Sequence, residues 1–356
     1  MACTETEDLV LEGVFSVVKP ARISSAEVLQ NLQEAFAPSL LFAPLLQHQP
    51  KRPSKSVDQV FKLGHGGTLD PLAAGILVIG IGRGTKHLQQ YLACTKTYET
   101  TVLFGASTDT YDSTGVITER AEHKHITKEL VEKGLVRFRG TIQQIPPVFS
   151  ALKINGIKAC NYARQGTEVP RQLQSREMHV AECSLIEWFD AGRHRFSQPG
   201  ESTPAVTPAA RIRLTVCSGF YVRSFVHDLG LACRSRAHMA ALLRTQQASF
   251  SLSDPLEPGM SPAITFAELE AGEQTWAPIL RPQLEAWITK HPVKHGHING
   301  RDQRIRWELA MSKNERPRQR FQGGWVAETK SERIQQQGGR YKGKWNRKSD
   351  LDSSEK

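Results

Sequence analysis

GHGGTLDPLAAGILVIGIGRGTK, residues 64–86, is the stretch from which the rest of the chain can be read. It opens with three glycines in four residues, Gly64, Gly66 and Gly67. That spacing predicts a tight loop approached closely by other backbone. A single acid, Asp70, follows, then Pro71. On spacing alone, Asp70-Pro71 reads as a helix N-cap with proline at the first helical position. Ile76 to Ile81 is a short apolar run bounded by glycines, the pattern of a buried strand. Thr85 to Leu92 reads as a short helix. Gly80-x-Gly82-x-Gly84-Thr85-Lys86 invites a nucleotide-binding reading, but its spacing argues against it. The dinucleotide fingerprint requires a glycine where Thr85 stands, and the P-loop requires Gly-Lys-Ser/Thr where this chain has Gly-Thr-Lys.

Towards the N-terminus, Gly13 to Pro20 reads as a strand ending at proline, with Ser24 and Ser25 as helix N-caps. Val28, Leu29, Leu32 and Phe36 follow at helical spacing, and Pro38 ends that helix. Residues 38–56 are rich in proline, with Lys51, Arg52 and Lys55, and read as a surface insertion. Towards the C-terminus, Tyr98, Thr100, Val102 and Phe104 alternate with Glu99, Thr101 and Leu103 as in a strand. Residues 105–115 are turn chemistry throughout. Leu130, Val131, Leu135 and Phe138 give a helix stripe. Residues 191–209, poor in apolar side chains and rich in Pro, Ser and Thr, predict a disordered loop between strands. Ile212, Leu214 and Val216 predict the next strand, and Phe225, Val226 and Leu229 the inward face of a helix. Past about residue 255 the pattern weakens. Strands mixed with helices, without regular βαβ spacing, place the chain in the α+β class.

The chain has 356 residues, 39% of them hydrophobic, and 46 Lys and Arg against 36 Asp and Glu leave a net charge of +10. That balance favours a polyanionic partner, nucleic acid or an anionic membrane surface. No run approaches the roughly 18 apolar residues of a membrane span. The acidic N-terminus resembles neither a secretory signal nor an Arg-rich transit peptide. Six cysteines without a C-x-x-C spacing suggest scattered thiols in a reducing compartment. His291, His295 and His297 cluster without a Cys or acidic partner at ligand spacing, so no metal site is expected. Residues 316–348 hold ten Lys or Arg with Phe321, Trp325, Tyr341 and Trp345. They read as a disordered basic arm for RNA backbone and bases, or as a solvated tail with no role.

The 64–86 stretch resembles the catalytic signature of the TruB family of pseudouridine synthases. Six further segments resemble that family in the right order. These are the opening strand with Lys19-Pro20 and Ser24-Ser25, Lys96-Thr97-Tyr98-Glu99, and Thr108-Asp109-Thr110-x-Asp112. After them come the block from Gln144 to Lys153, Gly219 to Ser224, and Leu242-Leu243-Arg244-Thr245. The resemblance covers roughly residues 12–255, with insertions at about 38–56 and 191–209. Residues 256–310 are then a C-terminal extension and 311–356 a basic tail. Phe149 stands where the family usually has tyrosine. The C-terminal region does not resemble the compact RNA-binding (PUA) domain of bacterial and archaeal relatives, an arrangement closer to the fungal and animal enzymes.

The resemblance implies the pseudouridine synthase fold, built on one large, mainly antiparallel sheet. It also implies isomerisation of uridine at position 55 in the TΨC loop of tRNA, without a cofactor and without a guide RNA. Asp70 is the implied catalytic carboxylate, Arg223 the cation beside it, and Tyr98 the base-stacking aromatic. Implied for substrate binding are His65, Tyr221, Leu243 and Lys19, the last with a structural part near the site. Taken alone, Tyr98 reads as a core aromatic on a strand, and a hydrogen-bonded loop histidine is the alternative for His65. Tyr221 and Arg223, two apart, would share a face on a strand. Hairpins in mRNA are a second expected substrate class. The chain is expected to act as a monomer in nucleus or cytosol, with a mitochondrial pool open and no membrane partner. A tRNA-folding chaperone that kept the fold and a guide-dependent, dyskerin-type synthase are the alternatives.

Overall fold

Gly13–Lys19 and Ala74–Ile81 are apolar at nearly every position, and such strands need cover on both faces. The computed structural model, which describes residues 9–48, 60–253 and 256–293, supplies that cover. The chain runs β1 (Gly13–Lys19), α1 (Ser25–Phe36), a 3₁₀ turn (Leu40–Phe42), α2 (Ala43–His48), β2 (Leu63–His65) and β3 (Ala74–Ile81). After a 3₁₀ segment (Gly82–His87) come α3 (Leu88–Ala93), β4 (Lys96–Phe104), a hairpin of β5 (Ala106–Thr108) and β6 (Ile117–Arg120), α4 (Lys128–Leu135) and β7 (Gly140–Gln144). A small hairpin, β8 (Lys153–Ile154) and β9 (Ile157–Lys158), leads to α5 (Ala159–Arg164). The last part holds β10 (Arg176–Phe189), β11 (Ala209–Val216), α6 (Val222–Ala232), β12 (Ala237–Gln247), β13 (Phe250–Ser251), β14 (Ile264–Thr265), α7 (Phe266–Glu270) and α8 (Glu273–Lys290).

Ten of these strands form one sheet, in the order β14-β1-β3-β12-β4-β11-β10-β7, with β2 on β3 and β13 on β12. Only the β1–β14 and β3–β12 pairings are parallel, so the expected α+β class with a mixed, mainly antiparallel sheet is what the chain adopts. One face of β1 and β3, with Phe15, Val17, Leu77 and Ile79, packs under α1 and α8. The other face, with Val14, Ile76 and Val78, packs on Leu88, Phe250 and Trp287. Gly75 lies where β3 meets β12, at φ +107°, and a Cβ there would fall 2.2 Å from the Arg244 carbonyl. Only glycine lets these two backbones approach so closely.

Several segments differ from the sequence reading. Past residue 255 the core continues. Trp276, Leu280, Leu284 and Trp287 form a buried stripe on α8, and Trp276 lies 4.9 Å from Phe36, ring to ring. Part of the proline-rich segment 38–56 is core as well, with Leu41, Phe42 and Leu45 buried and Phe42 stacked on Trp276. Residues 49–56 lie outside the described residues, as does the basic stretch 316–348. The 191–209 segment is a packed loop. Gln198 donates to the Phe104 carbonyl, a His194 ring nitrogen lies 2.7 Å from the Thr207 carbonyl, and Ala205 is buried. Residues 105–115 contain a short strand, β5. No helix begins at Asp70-Pro71, where the chain turns through Pro71-Leu72 directly into β3.

Candidate active site

The loop between β2 and β3 is held from every side before it presents Asp70. The Ser25 hydroxyl, on the first turn of α1, donates to the Leu69 carbonyl (3.1 Å) and accepts from the Leu69 N–H (3.0 Å). From β12, Gln247 donates to the Gly66 carbonyl (2.6 Å) and Arg244 to the Gly67 carbonyl (3.1 Å). Past Asp70, the Pro71 carbonyl accepts from the Arg22 N–H (2.7 Å) and from Lys19 Nζ (3.3 Å). Satisfying these buried carbonyls with side chains leaves the loop few alternatives.

Arg223 reaches the same point from the first turn of α6, not from a strand. Its helix start is fixed by Gln144, whose amide donates to the Tyr221 carbonyl (3.0 Å) and accepts from the Tyr221 N–H (2.8 Å). Phe225, Val226 and Leu229 bury the inner face of that helix. Arg223 Nε lies 2.8 Å from Asp70 Oδ2 and 3.7 Å from Asp112 Oδ2. Its Nη1 donates to the Thr110 carbonyl (2.9 Å) and its Nη2 to the Phe149 carbonyl (2.8 Å). Every nitrogen of the fork is therefore in use, a geometry an ammonium cannot reproduce. The Arg223 side chain is 7% exposed while that of Asp70 is 37% exposed, so the carboxylate is held on its buried side and open on the other.

The open side faces a cavity of about 370 Å³. Asp70, Tyr98, Tyr221 and Arg223 all line it, together with Lys96, Arg244 and Leu242. Tyr98, buried on β4, lies between Leu214 of β11 and Arg244 of β12. The cavity's charged lining is one carboxylate and three cations, Lys96, Arg223 and Arg244, which suits an anionic ligand with a flat, partly apolar body. Burial lowers the Lys96 pKa.

The other expected site residues are not in the cavity wall. Leu243 sits opposite Glu99 on the reverse face of β12, and its neighbour Leu242 takes the cavity position instead. His65 ends β2 outside the lining, and its buried Nδ1 hydrogen-bonds to no protein atom among the described residues. Burial, reinforced by Arg244, lowers its pKa. Lys19 is fully buried and bonds the carbonyls of Pro20, Ile23 and Pro71. Burial pushes its pKa down to about 8, against the pull of Asp70. Four contributors were not singled out from sequence: Ser25 as a loop anchor, Asp112, Arg244 and Gln247. Arg244 had a visible signal, a cation within the apolar run of β12. Among the described residues no cluster of metal-ligating side chains occurs, and no helix is long and apolar enough to cross a membrane.

The profile of the TruB family pseudouridylate synthases (N-terminal domain) matches residues 55–222. The chain is 35% identical over 335 residues to tRNA pseudouridine synthase 4 of Schizosaccharomyces pombe, covering 69% of this chain and 82% of that protein. The chain belongs to the TruB family of pseudouridylate synthases. Tyr98, Asp70 and Arg223 thus converge in an enzyme that isomerises uridine to pseudouridine. The synthase is also 38% identical to tRNA pseudouridine synthase B of Bacteroides fragilis, covering 55% of this chain and 76% of that one. To a pseudouridylate synthase of Mus musculus it is 38% identical, covering 68% of this chain and 65% of the mouse protein.

Proposed function

We propose that the synthase acts on tRNA, at uridine 55 of the TΨC loop, without a guide RNA, and on mRNA hairpins of similar shape. Support for tRNA comes from relatives named as tRNA pseudouridine synthases, one of them matched over most of its length. The observation that carries the chemistry is the Asp70–Arg223 pair at the edge of a cavity walled by Tyr98.

The isomerisation breaks the N1–C1′ bond, turns the uracil and joins C5 to C1′. The C5 hydrogen leaves as a proton and N1 gains one, so the balance requires neither oxidant nor reductant. Asp70 serves as the ionised carboxylate that attacks C1′ or supports a glycal intermediate. Arg223 holds that group from its buried side through Nε at 2.8 Å. With its three nitrogens in use, Arg223 serves the carboxylate, while Lys96, held by the Leu92 and Cys94 carbonyls, and Arg244, held by those of Ile76 and Gly67, contribute positive potential to the cavity wall. Tyr98, whose ring lines the cavity, stacks on the base. The uridine reaches this cavity only when extruded from its loop, at a cost of a few kcal/mol.

The test is incubation with an unmodified tRNA transcript and mapping of pseudouridine at nucleotide resolution. Modification at position 55 alone supports the reading, and modification elsewhere or none overturns it. An isolated T-arm hairpin is expected to react within about tenfold of full tRNA, or roughly 1.4 kcal/mol in barrier. A stemless RNA of the same loop sequence is expected to be nearly inert, since ordering it adds entropy cost.

A further inference from the structure

We propose that the rings of Tyr111 and His227 clamp the turn after β5 onto α6, and thereby position Arg223 against Asp70. The inference rests on the reading of Asp70 and Arg223 as the reacting pair. Three consecutive residues of that turn face α6. The Thr110 carbonyl accepts from Arg223 Nη1, and the Asp112 carboxylate lies 3.7 Å from Arg223 Nε. Between them, the Tyr111 ring stacks on His227 with centroids 4.1 Å apart and planes 13° from parallel.

The spacing on the helix explains the arrangement. Arg223 and His227 are four residues apart on α6, hence on one face, so both grip the same turn. Tyr111 holds φ at +63°, a left-handed conformation that a bulky residue adopts only when its surroundings impose it. On the sheet side the turn is fixed by backbone, with the Tyr111 N–H donating to the Thr108 carbonyl and the Met239 N–H to the Tyr111 carbonyl. On the helix side the ring pair extends the grip one turn beyond Arg223. His227 Nδ1 is buried and hydrogen-bonds to no protein atom among the described residues, so this ring acts through its face.

The electrostatic surroundings keep the stack neutral. Burial lowers the His227 pKa, with Arg236 adding to this and Glu119 opposing it. Burial and the nearby Asp228 raise that of Tyr111. Asp228 is itself pushed up to about 6 by burial. Glu119 and Arg236 pair with each other at 2.6 Å. Neither ring lines the cavity, so both are positioning residues and not catalytic ones.

The experiment measures single-turnover rates at saturating T-arm RNA, together with RNA affinity, for six proteins compared with wild type. Tyr111→Ala and His227→Ala are expected to slow the bound-state rate about tenfold or more, with Kd within about threefold. Their double mutant is expected to be no slower than the slower single, because the two rings act as one unit. Tyr111→Phe and His227→Phe keep a ring and are expected to stay within about threefold of wild type. Alanine variants within twofold of wild type would overturn the inference. So would phenylalanine variants as slow as the alanine ones, or losses confined to Kd. Asp70→Asn, run in parallel, separates the two readings. If it turns over, the assignment of the reacting pair falls and the clamp falls with it. If it is dead while the alanine variants run at wild-type rate, only the clamp falls.

Discussion

Two adjacent serines do different work, and replacing each by alanine tests how the Asp70 loop is held. Ser25 is buried, and its one hydroxyl satisfies both the N–H and the carbonyl of Leu69, the residue before Asp70. Ser25→Ala leaves both groups unpaired where Leu69 is itself buried. An unsatisfied buried group costs about 1–3 kcal/mol. Alanine recovers about 0.5 kcal/mol through its better helix propensity, and a small shift of the loop recovers more. The net loss of stability is therefore about 2 kcal/mol, read as a lower urea midpoint at unchanged m-value. The same shift moves Asp70, and displacements of a few tenths of an ångström at a reacting group cost rate. We expect the single-turnover rate to fall about tenfold, equivalent to about 1.4 kcal/mol. Ser24→Ala is the comparison. It removes a capping box in which Ser24 accepts from Glu27 N–H (3.2 Å) and Glu27 accepts from Ser24 N–H (2.7 Å), both exposed. That loss costs about 1 kcal/mol of stability and touches nothing at the site, so the rate should hold. A wild-type rate for Ser25→Ala, or equal slowing of the two variants, refutes the claim that Ser25 aims the loop.

Asp70→Asn is expected to abolish isomerisation while RNA affinity stays within a few-fold, since shape is kept and only charge is lost; turnover by the purified variant would contradict this. The Lys19 ammonium, with a pKa near 8 in place of 10.5, is charged below pH 8 and loses a donor above it. Activity should therefore decline along an alkaline limb centred near pH 8, and Lys19→Met should be slower at all pH values and lack that limb. Persistence of the limb in the variant would assign it to another group. Because the unfolded chain keeps its Lys19 proton up to about 10.4, this residue alone makes stability rise with pH between about 8 and 10.4. Leu242→Ala should lower kcat/KM about tenfold and Leu243→Ala should leave it within twofold; the reverse order would return Leu243 to the cavity.

The elements with a clean period were legible because their packing repeats along the chain. β4 and β11 alternate, and α1 carries its caps and stripe in sequence. α8 was missed because Pro278 and Pro282 interrupt it. Both prolines are on its exposed face, where solvent can take the carbonyls they leave unpaired, while Trp276, Leu280, Leu284 and Trp287 keep the buried face continuous. The 191–209 loop was misread for the opposite reason. Its order comes from single polar side chains, Gln198 and His194, reaching carbonyls distant in sequence, and composition carries no trace of such bonds.

The site divides along the same line. Asp70, Tyr98 and Arg223 stand in motif blocks and could be named from resemblance, but their supports act on main-chain carbonyls that any residue can present. Nothing in the sequence around Gly66 or Gly67 announces that Gln247 and Arg244 will bond there. The difference between Leu243 and Leu242 shows how sharply a strand punishes a small error. β12 pairs Leu242 with Thr100, Leu243 with Glu99 and Arg244 with Tyr98 across β4. Side chains alternate with period two, so a displacement of one residue moves a side chain from the cavity to the opposite face. Glu99 faces Arg211 and Arg213 of β11 on that reverse side. Between Leu242 and Arg244 the register runs unbroken, so Leu242, two positions before the cavity cation on the Tyr98 row, points inward as well. The register, once anchored on Arg244 and Tyr98, leaves Leu242 as the leucine of this pair able to touch an extruded base.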